Sequence, residues 1–339
     1  MRLGNLYAFN ALLSKETTDI NLTNRDGYRP IHIASLYDRV EMRSTLLKCK
    51  NALTIDEDDI TVVHAAAGSK KIDCVMGLLG RDEFSITDTD RYGNTILHHA
   101  ARYDNYPLLF KLLDEDVSDI INATNHNGDT FLHILGAFAC HDKMEEILKD
   151  ESIDVNIANL DGNTPLHLAV FKKDESKIDV LLARCDIKPN KLNGSGDAPL
   201  HIAAWQDEIE PTRSLFHSKK IDVNIRDRHM NTPLHHALER SLYNGPDEFA
   251  LELLGRKDID ITLENKEGVA PLEYAMQSCR ESITDVILEK IMKAACQEEE
   301  KHSNLPQHSL FGSGSPKRQR EGHSDLSDEE ECKRSRYQL

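Results

Sequence analysis

Thr164-Pro165-Leu166-His167-Leu168-Ala169 decides the reading of this chain, because the same hexapeptide returns along most of its 339 residues. Variants begin at Arg29, Thr61, Thr95, Thr130, Ala198, Thr232 and Ala270. Their fourth positions are His32, His64, His98, His133, His201, His235 and, in the last copy, Glu273. Fourteen residues beyond most of these positions stands a bulky apolar pair: Leu46-Leu47, Leu78-Leu79, Leu112-Leu113, Ile147-Leu148, Leu181-Leu182, Leu215-Phe216 and Ile287-Leu288. Copy seven needs four more residues to reach Leu253-Leu254, and the segment Tyr243–Pro246 reads as a lengthened turn between two helices. A fixed period of this length marks a stack of supersecondary units, each needing its neighbours to bury its apolar face.

The hexapeptide has a local logic. Threonine caps a helix with its hydroxyl, and proline suits the first turn, where its missing N–H costs little. Leucine faces the core, alanine lets a second helix approach, and histidine ties the cap to the neighbouring turn. Glycine precedes the cap by two residues in six copies, Gly27, Gly93, Gly128, Gly162, Gly196 and Gly268, where the turn favours positive φ. Asp59 tolerates that conformation in copy two. Met230 in copy seven does not, which predicts a distorted turn there.

These residues resemble the ankyrin repeat, with its T-P-L-H-x-A signature and a unit of about 33 residues. The resemblance implies an all-α solenoid of about eight helix-turn-helix repeats with β-hairpin tips. Residues 1–22 match the second half of a repeat and read as an N-terminal half-repeat cap, or as the start of a piece of a longer array. Residues 23–297 hold repeats one to eight, and 298–339 read as a disordered tail, rich in Ser, Gly, Pro and charge.

The resemblance also implies where partners bind: on the hairpin tips and the concave ends of the first helices. The positions four and five beyond the signature histidine include Tyr37, Tyr103, Phe138, Phe171 and Trp205. Aromatic rings there serve equally as interface anchors or as packing between repeats. Among the tips, Tyr92 and His229 are the chosen contact candidates.

Composition narrows the function. A hydrophobic fraction of 39% with 29% charged residues suits a folded, solvated chain, and no run of about 18 apolar residues suggests a membrane span. No secretory signal is evident at the N-terminus. The seven scattered cysteines lack any C-x-x-C pair and read as free thiols in a reducing compartment. A formal net charge of −17 argues against direct nucleic-acid binding and favours basic protein partners. None of the sixteen histidines falls into a metalloprotease pattern, and no P-loop or nucleophile-elbow motif occurs. No enzyme activity, cofactor or metal is therefore expected, and the chain is expected to be a monomer.

Lys317, Arg318 and Arg320 are separated by twelve residues from Lys333, Arg334 and Arg336. The two clusters resemble a bipartite nuclear import signal, implying an import receptor as partner and residence in nucleus and cytoplasm. Ser315, followed by proline, and Ser327, followed by acidic residues, resemble phosphorylation sites near these clusters. Asp154-Val155-Asn156 and Asp222-Val223-Asn224 resemble the ankyrin asparagines hydroxylated by an intracellular oxygenase. The expected function is a non-enzymatic interaction scaffold or adaptor acting as a nuclear regulator, similar in layout to the ankyrin-type regulators of Rel factors. Two readings stay open beside it: a secreted effector of an intracellular bacterium or virus, and the recognition arm of a longer enzyme.

Overall fold

The computed structural model describes residues 5–15, 17–49, 52, 54–56, 60–69, 71–138, 143–206, 209–242, 247–277 and 281–303; the side chains of 136–138, 241–242, 281 and 294–303 are outside the description. Among the described residues a single helix, α1 (Leu6–Leu13), precedes eight helix pairs. They are α2 (Pro30–Leu36) with α3 (Val40–Leu47), α4 (Val62–Ala67) with α5 (Ile72–Leu79), and α6 (Ile96–Arg102) with α7 (Tyr106–Leu113). Then come α8 (Phe131–Phe138) with α9 (Met144–Ile147), α10 (Pro165–Phe171) with α11 (Glu175–Ala183), and α12 (Pro199–Gln206) with α13 (Arg213–His217). The last pairs are α14 (Pro233–Leu242) with α15 (Glu248–Gly255) and α16 (Pro271–Gln277) with α17 (Glu281–Ser303). None of these helices is long and apolar enough to cross a membrane.

The chain divides into two compact units, Met1–Leu181 with Lys191–Pro199, and Leu182–Asn190 with Leu200–Leu339. In the first, α2, α4, α6, α8 and α10 stack in sequence, and α3, α5 and α7 pack on their partners; α1 rests on α3. In the second, α14 packs on α15 and α16, while α17 closes over α15 and α16. Helices of two turns are unstable alone, so they depend on this packing. Ala34, Ala66, Ala100 and Ala169 are fully buried at the close approach between helices. One member of each leucine-type pair is buried almost completely: Leu46, Leu78, Leu112, Ile147, Leu181, Leu215, Leu253 and Ile287. Each contributes about 1.5–3 kcal/mol of hydrophobic stabilisation.

The caps follow the sequence logic and extend it. In Thr61, Thr95, Thr130, Thr164 and Thr232 the backbone N–H donates to Nδ1 of the histidine three residues on, at 3.0–3.2 Å. The imidazole Nε2–H then donates to a carbonyl of the next repeat: His64 to Asp88, His98 to Asp129, His133 to Asn163, His167 to Asp197 and His235 to Val269. An amide can only donate, so Nδ1 must accept, and the tautomer is decided by the cap. Repeat one has Arg29 at the threonine position. There Nδ1 of the buried His32 has no hydrogen-bond partner among the described residues. Arg29 instead reaches the carbonyls of Asn21 and Ile55 and stitches its repeat on both sides.

The expected β-hairpin tips are not formed. Among the described residues there is no strand, and one isolated antiparallel bridge joins Ile55 to Thr61. The tips are side-chain-closed turns. Asn125 Oδ1 accepts the amides of Asn127 and Asp129, Asn159 those of Asp161 and Asn163, and Asn193 those of Ser195 and Asp197. Amides consumed inside a turn are lost to a ladder, which needs alternate residues of both strands. What remains is one backbone bond between neighbouring tips: His126 N to Tyr92 O, Leu160 N to Asn127 O and Gly194 N to Asp161 O in the first unit, Lys266 N to His229 O in the second.

The Met230 turn is not distorted either. Met230 takes φ of 64°, and its turn closes with the same bonds, Asp227 N to Asn231 O and Met230 N to Asp227 O, as the glycine turn at Asp90–Asn94. The tip network imposes the left-handed conformation at a cost of about 1–2 kcal/mol. Met230→Gly should therefore raise stability by roughly 0.5–1 kcal/mol after glycine's own entropy cost; an unchanged or lower urea midpoint would show the strain to be absent. The Asp59 turn and the segment Tyr243–Pro246 lie outside the described residues. Beside that segment α14 has ten residues where α2, α6, α10 and α16 have seven, so much of the insertion lengthens the first helix. The closing helix continues to Ser303.

Candidate functional site

Five of the eight tips begin with asparagine: Asn24, Asn125, Asn159, Asn193 and Asn265. Repeats three and seven carry Asp90 and Asp227 instead, and in both a histidine follows nine residues later, His99 and His236. These are the second members of the two His-His pairs. In four of the five the asparagine amide nitrogen reaches the tip of the preceding repeat, Asn125 to Asn94, Asn159 to Asp129, Asn193 to Asn163 and Asn265 to Asn231, while that of Asn24 donates to Asp26 in its own tip. Aspartate has no such donor. Its second oxygen is taken by its own helix: Asp90 Oδ2 and Asp227 Oδ2 each lie 3.0 Å from Nε2 of His99 and His236. Oδ1 holds the tip, accepting from Tyr92 and Asn94 in one repeat and from His229 and Asn231 in the other.

An aromatic ring completes each group. Tyr103 stacks on His99 with centroids 6.4 Å apart, and Trp205 tilts against His236 at 5.6 Å. A buried carboxylate thus links a tip to an aromatic on the first-helix surface. It joins Tyr92 to Tyr103 in the first unit and His229 to Trp205 in the second, which spacing alone left as four separate candidates. A helical wheel separates His98 from His99 and His235 from His236 onto different faces. That is why one member caps and the other can turn to the tip.

Electrostatics follow from burial. Burial raises the carboxyl pKa of Asp90 and Asp227, but donation from the histidines, from the asparagine at 94 or 231 and from tip amides outweighs it and holds both below the ordinary range. Burial acts the other way on the capping imidazoles. It lowers His98 and His167 to about 4, and burial with the nearby His99 lowers His64 to about 3. His32, His133 and His235 are lowered for the same reason. Burial and its Tyr103 bond push the Tyr28 hydroxyl upward.

The remaining candidates separate by exposure. Tyr103 is half-buried; its ring lies over Gly68, where an added Cβ would come within 3.3 Å of it. It spans a neighbouring repeat and serves packing as much as display. Phe171 is 59% exposed with Lys172 Nζ at 5.9 Å from its ring, Tyr92 is 53% exposed and Trp205 42%. Tyr37 is exposed at the C-cap of α2, and His229 is exposed at its tip. The Phe138 side chain, the basic clusters Lys317–Arg320 and Lys333–Arg336, Ser315 and Ser327 lie outside the described residues. Tyr92 overhangs an open groove of about 750 Å³ shared with Asn94, Arg102, Asp104, Asn125, Asn127, Asp129 and Ile134. The Asn224 amide donates to the Asp258 carbonyl and accepts from the Asp260 amide, so hydrogen bonding between repeats accounts for this asparagine.

The sequence is similar to known proteins. The family described as ankyrin repeats (3 copies) matches residues 1–90, 46–120, 63–159, 97–193 and 137–227, together residues 1–227. Among curated proteins, the chain is similar to the Nuclear factor NF-kappa-B p105 subunit of Gallus gallus, 28% identical over 146 residues, 42% of this chain and 15% of that protein. The Mus musculus p105 subunit is 28% identical over 120 residues, 34% of this chain and 12% of that protein. The Transient receptor potential cation channel subfamily A member 1 homolog of Caenorhabditis elegans is 34% identical over 98 residues, 29% of this chain and 8% of that protein. The chain thus spans less than a sixth of the length of these relatives. With two thirds of its residues matched by the family, the chain belongs to the ankyrin-repeat family, whose repeat is a non-catalytic protein-interaction module.

Proposed function

We propose that this protein is a protein-binding adaptor that works as a nuclear regulator, with tips and first-helix ends as its partner surface. The observation that carries the reading is the exposure of Tyr92, Phe171 and Trp205, with the Tyr92 backbone held by the buried Asp90 and the Trp205 ring set against the buried His236–Asp227 pair. Large aromatic anchors on a rigid frame lose little entropy on binding and dominate interface energies. The likeness to a nuclear factor subunit supports a nuclear setting. The tail contains six Lys/Arg and six Asp/Glu beyond Ser303, so the whole net charge of −17 rests on residues 1–303. That balance favours a basic partner for the repeats.

The test has two arms. A Tyr92→Ala, Phe171→Ala, Trp205→Ala triple variant should lose a specific partner that wild type retains in quantitative co-purification, with the helical circular-dichroism signal unchanged. Retention of every partner would remove these rings from the interface. Changing Lys333, Arg334 and Arg336 to Ala should abolish nuclear accumulation of a tagged chain, and an unchanged distribution would discard the import role.

A further inference from the structure

The Trp205–His236–Asp227 group in the second unit has one unsatisfied atom. Nδ1 of His236 is buried and has no hydrogen-bond partner among the described residues. Its other nitrogen faces Asp227 Oδ2, a carboxylate oxygen that only accepts, so Nε2 carries a hydrogen, and in the Nε2–H tautomer Nδ1 is an acceptor. A buried acceptor left without a donor is costly and rare in native structures. Two rings flank the imidazole: the Trp205 indole at 5.6 Å and the His201 ring at 5.3 Å, centroid to centroid. Trp205 is 42% exposed and is the one tryptophan of the chain. An indole at the surface can exchange rotamers on the nanosecond scale and uncover what lies beneath.

We propose that this group is a binding site for an arginine side chain of a protein partner. The guanidinium stacks on the Trp205 indole and donates one N–H to Nδ1 of His236, whose Nε2–H is held by Asp227. Three features select arginine. The open position needs a donor, the indole face attracts a cation, and the carboxylate behind the imidazole polarises Nδ1 toward a stronger acceptor. A planar guanidinium can stack and donate edgewise together, which a lysine ammonium cannot. The negative charge of the repeat body favours such a guest. The site is a refinement of the adaptor reading and rests on it.

A fold-safe disruption is available from the chain itself. Repeats one, four and five use Asn24 with Ile33, Asn125 with Ile134 and Asn159 with Leu168 at the positions of Asp227 and His236. The double variant Asp227→Asn, His236→Ile therefore restores a pattern native to this protein. The probe is N-acetyl-arginine amide, read by the fluorescence of Trp205, with the N-acetyl-citrulline amide as its uncharged counterpart. Wild type should show a saturable change with a dissociation constant on the order of 1–10 mM, as expected for so small a ligand. The double variant and the citrulline probe should each be weakened at least tenfold. No saturable response in wild type, or equal binding by citrulline or by the double variant, overturns the site. The two readings fail separately: a silent probe with partner loss in the ring-to-Ala triple variant removes only the arginine site, while probe binding without any partner dependence removes only the adaptor.

Discussion

Acidification from pH 7 to pH 5 should unfold the repeats, with loss of helical circular dichroism centred near pH 5. The cause is the row of capping histidines. His98 and His167 titrate at about 4 when folded, against an ordinary 6.5 in the unfolded chain. The unfolded state therefore binds protons that the folded state refuses. Stability is complete above about pH 6.5 and falls as the pH drops toward the folded value, below which it levels off. At pH 5 each of these two imidazoles removes about 2 kcal/mol. His64, lowered to about 3 by burial and by His99, adds a similar amount. The sum is comparable with the whole stability of an ordinary domain, about 5–15 kcal/mol. Asp90 and Asp227 act in the opposite sense and in a different window. Their depressed carboxyls contribute stability that is lost only as the pH falls below their ordinary value of 3.8. A midpoint below pH 4 would therefore assign acid unfolding to carboxylates and refute the buried-imidazole account. The mechanism is geometric as well as dielectric: protonating Nδ1 would set two donors, the new N–H and the threonine amide, against each other.

Gly162→Ala should be the most damaging glycine-to-alanine change among the described residues, at roughly 3–5 kcal/mol from left-handed strain and overpacking together. Gly162 sits at φ of 76°, and a Cβ there would come 2.2 Å from the Gly194 amide nitrogen and 2.7 Å from the Asn193 carbonyl carbon. Both contacts are backbone, so no side chain can swing away. The Gly194 N–H donates to Asp161 O at 2.6 Å, the bond joining the two tips, and the methyl would break it. Gly268 is the internal comparison. It has the same φ of 76°, but the nearest atom is the end of the Glu264 side chain at 4.0 Å. Gly268→Ala should cost only the conformational share, about 1–2 kcal/mol. Gly77 lies inside α5 with no such atom within 4 Å, and Gly77→Ala should stabilise by about 0.5–1 kcal/mol. Urea midpoints of the three variants measure the series. Equal losses at Gly162 and Gly268 would show that strain, not tip contact, sets the effect.

The helix pairs, their order and their caps were legible because each depends on residues within one repeat. Thr164 and His167 are three apart on one helical turn, and the Leu181 anchor follows at the interval shared by seven of the eight copies. The tips are turns and not hairpins, a distinction that residue types alone do not carry. Glycine at positive φ is common to hairpins and to side-chain-closed turns, and the hydrogen bonds that separate the two, such as Asn125 Oδ1 to the Asp129 amide, are invisible in a pattern of residue types. Met230 follows the same logic: local preference disfavours its conformation, while Asp227 and Asn231 impose it.

From its residues alone this chain determined a period, a cap and an apolar pair, hence stacked helices and the interaction-module family, since neighbours in sequence are neighbours in each two-helix unit. Tertiary structure alone decided which histidines merely cap and which tie a tip to an aromatic. Asp227, His236 and Trp205 meet only when two repeats stack, and a contact between repeats depends on packing that no single repeat encodes.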